Sequence, residues 1–269
     1  MKGNRITQRF SALAQEGKKG LITYITAGYP DLDTTARLVK TMVEAGADLV
    51  EVGIPFSDPV ADGPVIQQAS ARALANGVRV KDIIRMCADI RQKSTAVPLI
   101  LMTYYNPVFQ YGLESFARDA AGAGVDGLIV PDLPFEESEE LLGHTDHYGL
   151  ALIPLVAPTT TEKRLAAMAP AARGFVYCVS VTGVTGAREE IHTDLAKFTQ
   201  KVRRHIQLPC AIGFGIAGPA QAAAVAPYCD AMVVGSAIVD LVARAGTGDP
   251  APAVAALVKD IKCAIEKCA

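Results

Sequence analysis

The chain has 269 residues, 50% of them hydrophobic, with a formal net charge of −2 and a pI near 6.1. This length suits two ordinary domains or one α/β barrel, and the weak charge argues against the basic surface that nucleic acids or anionic membranes require. The amino terminus lacks the apolar core of a signal peptide and no apolar run reaches spanning length, so we expect a soluble, cytoplasmic protein.

Strand-like and helix-like segments alternate along the chain. A leading helix is predicted over residues 6–15, a first strand over 20–27 and a helix over 33–45. The second strand holds Glu51, and two helices follow it at 64–75 and 80–93. Further strands, each trailed by a helical segment, are predicted at residues 97–102, 127–130, 151–156, 174–179, 209–213 and 231–234. These segments make eight strand–helix units.

A weak internal repeat supports this count. In three places a helix end leads to an aspartate, Asp48, Asp126 or Asp230, and then into a short apolar strand that Gly or Pro ends. Strands buried on both faces and separated by helices indicate a parallel sheet. Eight of them without a linker predict one α/β domain over residues 1–269, a single (β/α)₈ TIM barrel with an extra N-terminal helix. A doubly wound dinucleotide fold is disfavoured, since no Gly-x-Gly-x-x-Gly follows the first strand.

The segment from Val50 to Pro64 places two carboxylates around a turn-rich loop. Glu51 lies among apolar residues of a strand, where burial is costly unless its charge or its proton is used. Asp62 lies at the far side of the loop, where Asp62-Gly63-Pro64 is a plausible helix entry. Taken singly, such a Glu more often faces solvent and such an Asp more often caps a turn. The residues at the ends of the other strands favour a catalytic role for Glu51 and Asp62 over these structural roles.

In a barrel, sites lie at the carboxyl ends of the strands. The residues at those ends are Gly28, Glu51, Tyr104, Asp132, Ala157, Ser180, Gly213 and Gly235. No lysine falls there, so Schiff-base chemistry has no evident amine. The four histidines fall in or beside helical segments, and the six cysteines show no zinc spacing, so we expect neither a metal nor an organic cofactor in this chain. Of the kinds of chemistry considered, proton transfer by carboxylates remains.

Two glycine-containing loops near the carboxyl terminus predict a phosphate site. Gly213 to Pro219, which includes Gly215, follows the seventh strand, and Gly235-Ser236 opens a helix after the eighth. Their backbone N–H groups and the Ser236 hydroxyl can hold a phosphate, although the glycines can also serve only tight turns. The long loop at 180–192, with glycines at 183 and 186, is either a lid or an ordinary surface loop.

The segment Val52-Gly-Ile-Pro-Phe-Ser-Asp-Pro-Val-Ala-Asp-Gly-Pro-Val-Ile-Gln closely resembles the signature of the tryptophan synthase alpha chain family. Further segments match it in order and spacing over essentially the whole chain, among them Met102-Thr-Tyr-Tyr-Asn-Pro and Tyr177-Cys-Val-Ser-Val-Thr-Gly-Val-Thr-Gly. The resemblance implies cleavage of indole-3-glycerol phosphate to indole and glyceraldehyde 3-phosphate. It also implies a beta chain with pyridoxal phosphate that joins indole to serine.

The resemblance also implies roles for residues. Glu51 is expected to be the acid–base carboxylate at indole C3, and Asp62 to accept the indole N–H. The substrate-binding residues are expected to be Tyr24, Tyr104, Tyr177, Thr185, Gly186, Gly215, Gly235 and Ser236. Tyr177 would lie near Glu51, and Thr185 would meet Asp62 when the lid closes. The chain departs from the family at Tyr24, where Phe is frequent, and at Val181-Thr182, where some members carry a charge.

The loop after the second strand is predicted to bind the partner. Ile54 and Phe56, with Pro55, Asp58 and Pro59, would place apolar surface and a lone acid at the barrel mouth. The resemblance implies an α₂β₂ assembly through which indole passes, with Pro55, Asp58 and Pro59 at the interface. A stand-alone indole-releasing lyase, another phosphate-sugar barrel enzyme and a non-catalytic subunit remain alternatives; intact Glu51 and Asp62 speak against the last.

Overall fold

The computed structural model describes residues 3–93, 96–179, 194–213 and 215–266. A parallel sheet curls around the centre of the molecule, and helices pack on its outer side. The strands are β1 (Gly20–Thr26), β2 (Leu49–Gly53), β3 (Leu99–Met102), β4 (Gly127–Ile129), β5 (Ala151–Leu152), β6 (Leu155–Val156), β7 (Val176–Val179), β8 (Cys210–Gly213) and β9 (Ala231–Val234). Their order in the sheet is β5-β4-β3-β2-β1-β9-β8-β7-β6.

Strands β5 and β6 are two halves of one barrel strand, separated by Ile153 and Pro154. Pro154 has no backbone N–H, so the regular ladder stops there and the continuous strand predicted over 151–156 is interrupted. Around the break, the Ile153 N–H donates to the Leu128 carbonyl at 2.9 Å, and the Tyr177 N–H donates to the Pro154 carbonyl at 2.9 Å. The two edges of the sheet therefore meet in this strand, which confirms the predicted eight-stranded barrel for the described chain.

The helices alternate with the strands as predicted. They are α1 (Arg5–Gln15), α2 (Leu32–Glu44), α3 (Pro64–Ala75), α4 (Val80–Lys93), α5 (Tyr105–Tyr111), α6 (Leu113–Gly122), α7 (Glu139–His147), α8 (Glu162–Met168), α9 (Leu195–His205), α10 (Pro219–Val225), α11 (Ser236–Ala245) and α12 (Ala251–Glu266). The predicted bounds of α3 and α4 are confirmed, and α3 begins with Pro64 directly after Gly63, as expected for proline in a first turn.

Alternate residues of the strands supply two apolar layers. Outward side chains pack against the helices, and inward side chains fill the barrel. Helix α1 contributes Ile6 and Phe10 to the inward layer, and the Phe10 ring centroid lies 5.6 Å from that of Phe175. The predicted leading helix therefore closes the barrel at the amino-terminal ends of the strands. The opposite, carboxyl-terminal ends are the ones available for a site.

The repeated aspartates join neighbouring strands at that closed end. Each carboxylate accepts an N–H at the start of the strand beside its own: Asp48 from Leu21 at 2.6 Å, Asp126 from Leu99 at 2.9 Å and Asp230 from Cys210 at 2.8 Å. Each also pairs with a cation on a helix: Lys262 at 2.8 Å, Arg91 at 2.9 Å and Arg203 at 2.9 Å, respectively. A charge-assisted bond at a strand start fixes the register of the two strands. The repeat is therefore structural.

Among the described helices, none combines the length and the apolar character that crossing a membrane requires.

Candidate active site

Glu51 is the central residue of β2, and its side chain points into the barrel. Its neighbours Val50 and Val52 pack in the outer layer, so strand alternation turns Glu51 inward, beside its register partner Tyr24. The side chain is 0% exposed, and neither carboxylate oxygen has a hydrogen-bond partner among the described residues. Burial raises the pKa of Glu51 to about 8. The carboxyl group is therefore protonated at neutral pH and can act as an acid.

Asp62 faces the same cavity from the loop after β2. Its N–H donates to the Pro59 carbonyl at 3.0 Å, which closes the turn that carries it. The Tyr104 hydroxyl donates to Asp62 Oδ2 at 3.0 Å and accepts the Ala61 N–H at 3.0 Å. Burial raises the pKa of Asp62 to about 6, and the Tyr104 hydrogen bond opposes that rise. Asp62 is therefore mostly ionised at neutral pH, while Glu51 is mostly protonated.

The difference between the pKa values of Glu51 and Asp62 has a physical origin. Glu51 lies deeper and has no donor to stabilise its anion, whereas Asp62 has a phenol that donates to its charged form. Two titratable groups whose surroundings push their pKa values apart are the usual arrangement of an acid and a base in one site. The prediction that Glu51 is buried in an apolar strand is confirmed; its catalytic role stays a prediction.

Two tyrosine rings line the same cavity as these carboxyl groups. Tyr24 and Tyr177 are both buried, which raises the pKa of each well above its ordinary value near 10, and the charges of Glu51 and Asp62 act on both phenols. Tyr177 lines the same cavity as Glu51, and its role in binding substrate stays a prediction. Both phenols are neutral in the range where the carboxyl groups titrate, so they shape the pocket and do not donate protons to solvent.

The rings explain two glycines whose purpose the sequence did not reveal. A Cβ atom at Gly53 would lie 2.1 Å from Tyr24 Oη, and one at Gly213 would lie 2.3 Å from Tyr177 Oη. Real atoms do not approach so closely, so each strand end must lack a side chain for the neighbouring ring to fit. The sequence showed Gly53 and Gly213 only as residues that end strands.

Three of the residues predicted to bind phosphate, Gly215, Gly235 and Ser236, line the same cavity as the carboxyl groups. Gly215 has a φ of +84°, a conformation that favours glycine, and Gly235 directly precedes α11, whose first residue is Ser236. The first N–H groups of a helix lack acceptors within the helix and can bind an anion. Thr185, Gly186 and the proposed lid at 180–192, including the departure at Val181-Thr182, lie outside the described residues.

Two cavities meet at the open end of the barrel. The smaller, about 60 Å³, is lined by Glu51 and Asp62 together with the glycine loops. The larger, about 850 Å³, is lined by the loops after β4 and β6 and contains neither carboxyl group. Met102 lines both, so the two are adjacent. The smaller cavity is the candidate site because both carboxyl groups line it, and the larger cavity lies beside it.

The loop predicted to face a partner is only partly accessible. Asp58 is exposed and Pro59 is half-buried, but Ile54 and Pro55 are buried. The prediction that Ile54 and Pro55 present apolar surface at the barrel mouth is therefore wrong: both are buried, and Ile54 packs in the outer core layer. Val60, which the sequence analysis did not select, is the exposed apolar side chain of this loop at 73%.

The histidines do not approach the candidate site within the described chain. His144 and His147 lie on α7 and His205 on α9, as predicted, while His192 lies outside the described residues. Over residues 3–93, 96–179, 194–213 and 215–266, no three His, Cys, Asp or Glu side chains come together as a metal site.

Comparison with known proteins identifies a family. The sequence profile described as Tryptophan synthase alpha chain matches residues 10–265. The protein of that name from Caldanaerobacter subterraneus subsp. tengcongensis is 54% identical over 241 residues, 90% of this chain and 91% of the relative. The one from Geobacter sp. (strain M21) is 53% identical over 236 residues, 88% of each.

Solved structures agree. The tryptophan synthase alpha chain from Legionella pneumophila subsp. pneumophila superposes with a TM-score of 0.91 at 38% identity, covering 98% of both chains. A chain of Mycobacterium tuberculosis tryptophan synthase gives 0.89 at 38% identity, again over 98% of both. Since the family profile and these relatives span nearly the whole chain and share its barrel, the chain belongs to the tryptophan synthase alpha chain family.

Proposed function

We propose that this chain cleaves indole-3-glycerol phosphate into indole and glyceraldehyde 3-phosphate, with Glu51 and Asp62 as its catalytic carboxyl groups. Membership of the family supplies the reaction, a carbon–carbon lyase activity. One observation supports the residue roles: a fully buried glutamate without a hydrogen-bond partner among the described residues lines the same cavity as an aspartate whose anion a phenol stabilises.

The chemistry follows from these protonation states. Protonated Glu51 donates its proton to indole C3, which places positive charge on the ring nitrogen. Ionised Asp62 accepts the indole N–H and stabilises that charge. The glycerol hydroxyl loses its proton to Glu51, now a carboxylate, while the C–C bond breaks and its electron pair restores the aromatic ring. The aldehyde and indole leave, and Glu51 is again protonated.

The phosphate group of the substrate is proposed to bind at Gly215, Gly235 and Ser236. These residues lie at backbone that favours anions, in the same cavity as the carboxyl groups. Thr185 and Gly186 are proposed to complete the substrate contacts. A fixed phosphate positions the cleavable bond between the two carboxyl groups, which is the advantage of an anchor remote from the chemistry.

The family name implies a beta-chain partner, and we propose an α₂β₂ assembly in which the beta chain holds pyridoxal phosphate and this chain uses no cofactor. The accessible face at the barrel mouth supports the proposal. It carries Asp58, Val60 at 73% exposure and, on α5, Phe109 at 57%. Exposed apolar side chains beside a site mark an interaction surface.

We also propose that residues 1–269 form one domain. The barrel closes only through the strand at 151–156, which bonds to β4 on one side and to β7 on the other, so no division leaves both parts without open edges. The cytoplasmic location expected from the sequence stays a prediction.

The test of this function is indole release from indole-3-glycerol phosphate, with and without a beta chain. Glu51→Gln and Asp62→Asn are expected to lower kcat roughly 10²–10⁴-fold with little change in KM. Glu140→Gln, an exposed glutamate on α7, is the matched control and should match wild type. Either active-site variant within about threefold of wild type would remove that residue from the mechanism.

The partner is tested in the same assay. Saturating beta chain should raise the wild-type rate, because docking orders the loops at the barrel mouth. Asp58→Ala should weaken this activation and leave the isolated rate unchanged. A wild-type rate that stays flat at saturating beta chain would support the stand-alone lyase instead.

A further inference from the structure

Asp132 is a strand-end carboxylate to which the proposed reaction assigns no role. It lies in a turn after β4, in which the Leu133 N–H donates to the Val130 carbonyl at 3.2 Å. Pro131 occupies the second position of this turn, where proline already has the backbone angle that the turn requires. The turn therefore holds Asp132 at a defined place on the rim of the barrel.

From there Asp132 reaches the neighbouring loop. Its Oδ1 accepts the N–H of Tyr105, the first residue of α5, at 2.8 Å. The first N–H groups of a helix have no acceptor within the helix, so a carboxylate at this point fixes the helix start. Its charge also acts on the phenol of Tyr104, the residue directly before α5.

Tyr104 links the start of α5 to the candidate active site. Its hydroxyl meets two partners in the loop after β2, donating to Asp62 Oδ2 and accepting from the Ala61 N–H, each at 3.0 Å. Its ring also packs on Phe56, with 5.3 Å between centroids. A hydroxyl with two partners at fixed directions tolerates little displacement of the backbone that carries it.

We propose that Asp132 is a positioning residue of the cleavage reaction: it fixes the start of α5, and thereby the Tyr104 hydroxyl that orients Asp62. The inference rests on the proposed function, because Asp62, which Asp132 helps to orient, is the ionised carboxylate of that mechanism. When the start of α5 is less firmly held, the hydrogen bond from the Tyr104 hydroxyl to Asp62 weakens. The charged form of Asp62 is then less stabilised, so the pKa of Asp62 rises.

The acid limb of the pH profile reports this effect. The titratable groups that face Asp62 from other elements are Glu51 on β2, Tyr24 on β1, Tyr104 before α5 and Tyr177 on β7. Burial raises the pKa of all three tyrosines above 10 and that of Glu51 to about 8. None of them titrates near the pKa of Asp62, about 6. Near Asp132, the charge of this carboxylate acts on the Tyr104 phenol, and Arg164 lines the larger cavity together with Asp132.

The experiment measures kcat/KM for indole-3-glycerol phosphate from pH 5 to 9 with the isolated full chain. Asp132→Ala should move the acid limb up by about half a pH unit, which is about threefold in kcat/KM at pH 5 and little at pH 7.5. Tyr104→Phe should move it further in the same direction, by about one unit. Asp132→Asn keeps an oxygen that can accept the Tyr105 N–H and should stay close to wild type.

The matched control is Asp31→Ala, which removes an exposed carboxylate that accepts the Thr34 N–H at 2.7 Å at the start of α2. It should leave the limb in place. An unchanged limb in Asp132→Ala, or an equal shift in Asp31→Ala or Asp132→Asn, overturns the proposal. A downward shift in both Asp132 variants also overturns it, since loss of a nearby negative charge alone lowers a carboxyl pKa. Wild type that releases no indole at any pH contradicts the proposed function instead.

Discussion

Replacing Glu51 by glutamine should make the protein more stable relative to wild type as the pH rises from 5 to 7, although it lowers activity. The pKa of Glu51 is raised from 4.5 to about 8 by burial. Its contribution to stability is therefore fully present below pH 4.5 and is lost as the pH rises through about 8. Between those values the unfolded chain releases the proton and the folded chain keeps it.

The size of the effect follows from the two pKa values. Each pH unit between them changes the free energy of unfolding by about 1.4 kcal/mol. Relative to wild type, Glu51→Gln should therefore gain about 2 to 3 kcal/mol between pH 5 and pH 7. Asp62 also has a raised pKa, but it is present in both proteins and cancels in the difference.

The assay is urea unfolding at pH 5, 6, 7 and 8, followed by circular dichroism and by tyrosine fluorescence, since the chain has no tryptophan. Glu140→Gln is the control and should show no pH-dependent difference from wild type, because this side chain is exposed. A difference between wild type and Glu51→Gln that stays constant from pH 5 to 7 would refute the reasoning. Glu51 would then be ionised in the folded chain and could not be the acid.

Two further predictions concern the reaction and the barrel. The wild-type profile of kcat/KM should be bell-shaped, falling below about pH 6 as Asp62 gains a proton and above about pH 8 as Glu51 loses one, and steady-state kinetics should show Glu51→Gln without the upper limb. A profile flat from pH 5 to 9 would contradict both assignments. Gly53→Ala should destabilise the protein by roughly 1–3 kcal/mol, because the added methyl group meets the Tyr24 ring. Thermal unfolding should show part of this loss recovered by adding Tyr24→Leu, and no loss in Gly122→Ala, where the new atom meets nothing within 4 Å; equal losses at both glycines would argue against the clash.

The sequence by itself determined the barrel and the pair of carboxyl groups. Short apolar runs separated by helical periods specify buried parallel strands, because backbone pairing and burial leave few other arrangements for such a pattern. The same local reasoning identified Glu51, since a charged residue in an apolar strand conflicts with its surroundings. It also found the helix that begins at Pro64 and the internal repeat, whose aspartates proved to join strands.

Only the tertiary structure decided how side chains from different strands meet. Tyr104 and Asp62 lie 42 residues apart, and their hydrogen bond depends on the neighbouring positions of the loops after β2 and β3. The need for glycine at position 53 depends on a ring that arrives from β1, and the burial of Pro55 depends on how its loop folds back. Patterns along one segment report which face of a strand is buried, whereas these contacts depend on the register and closure of the whole barrel.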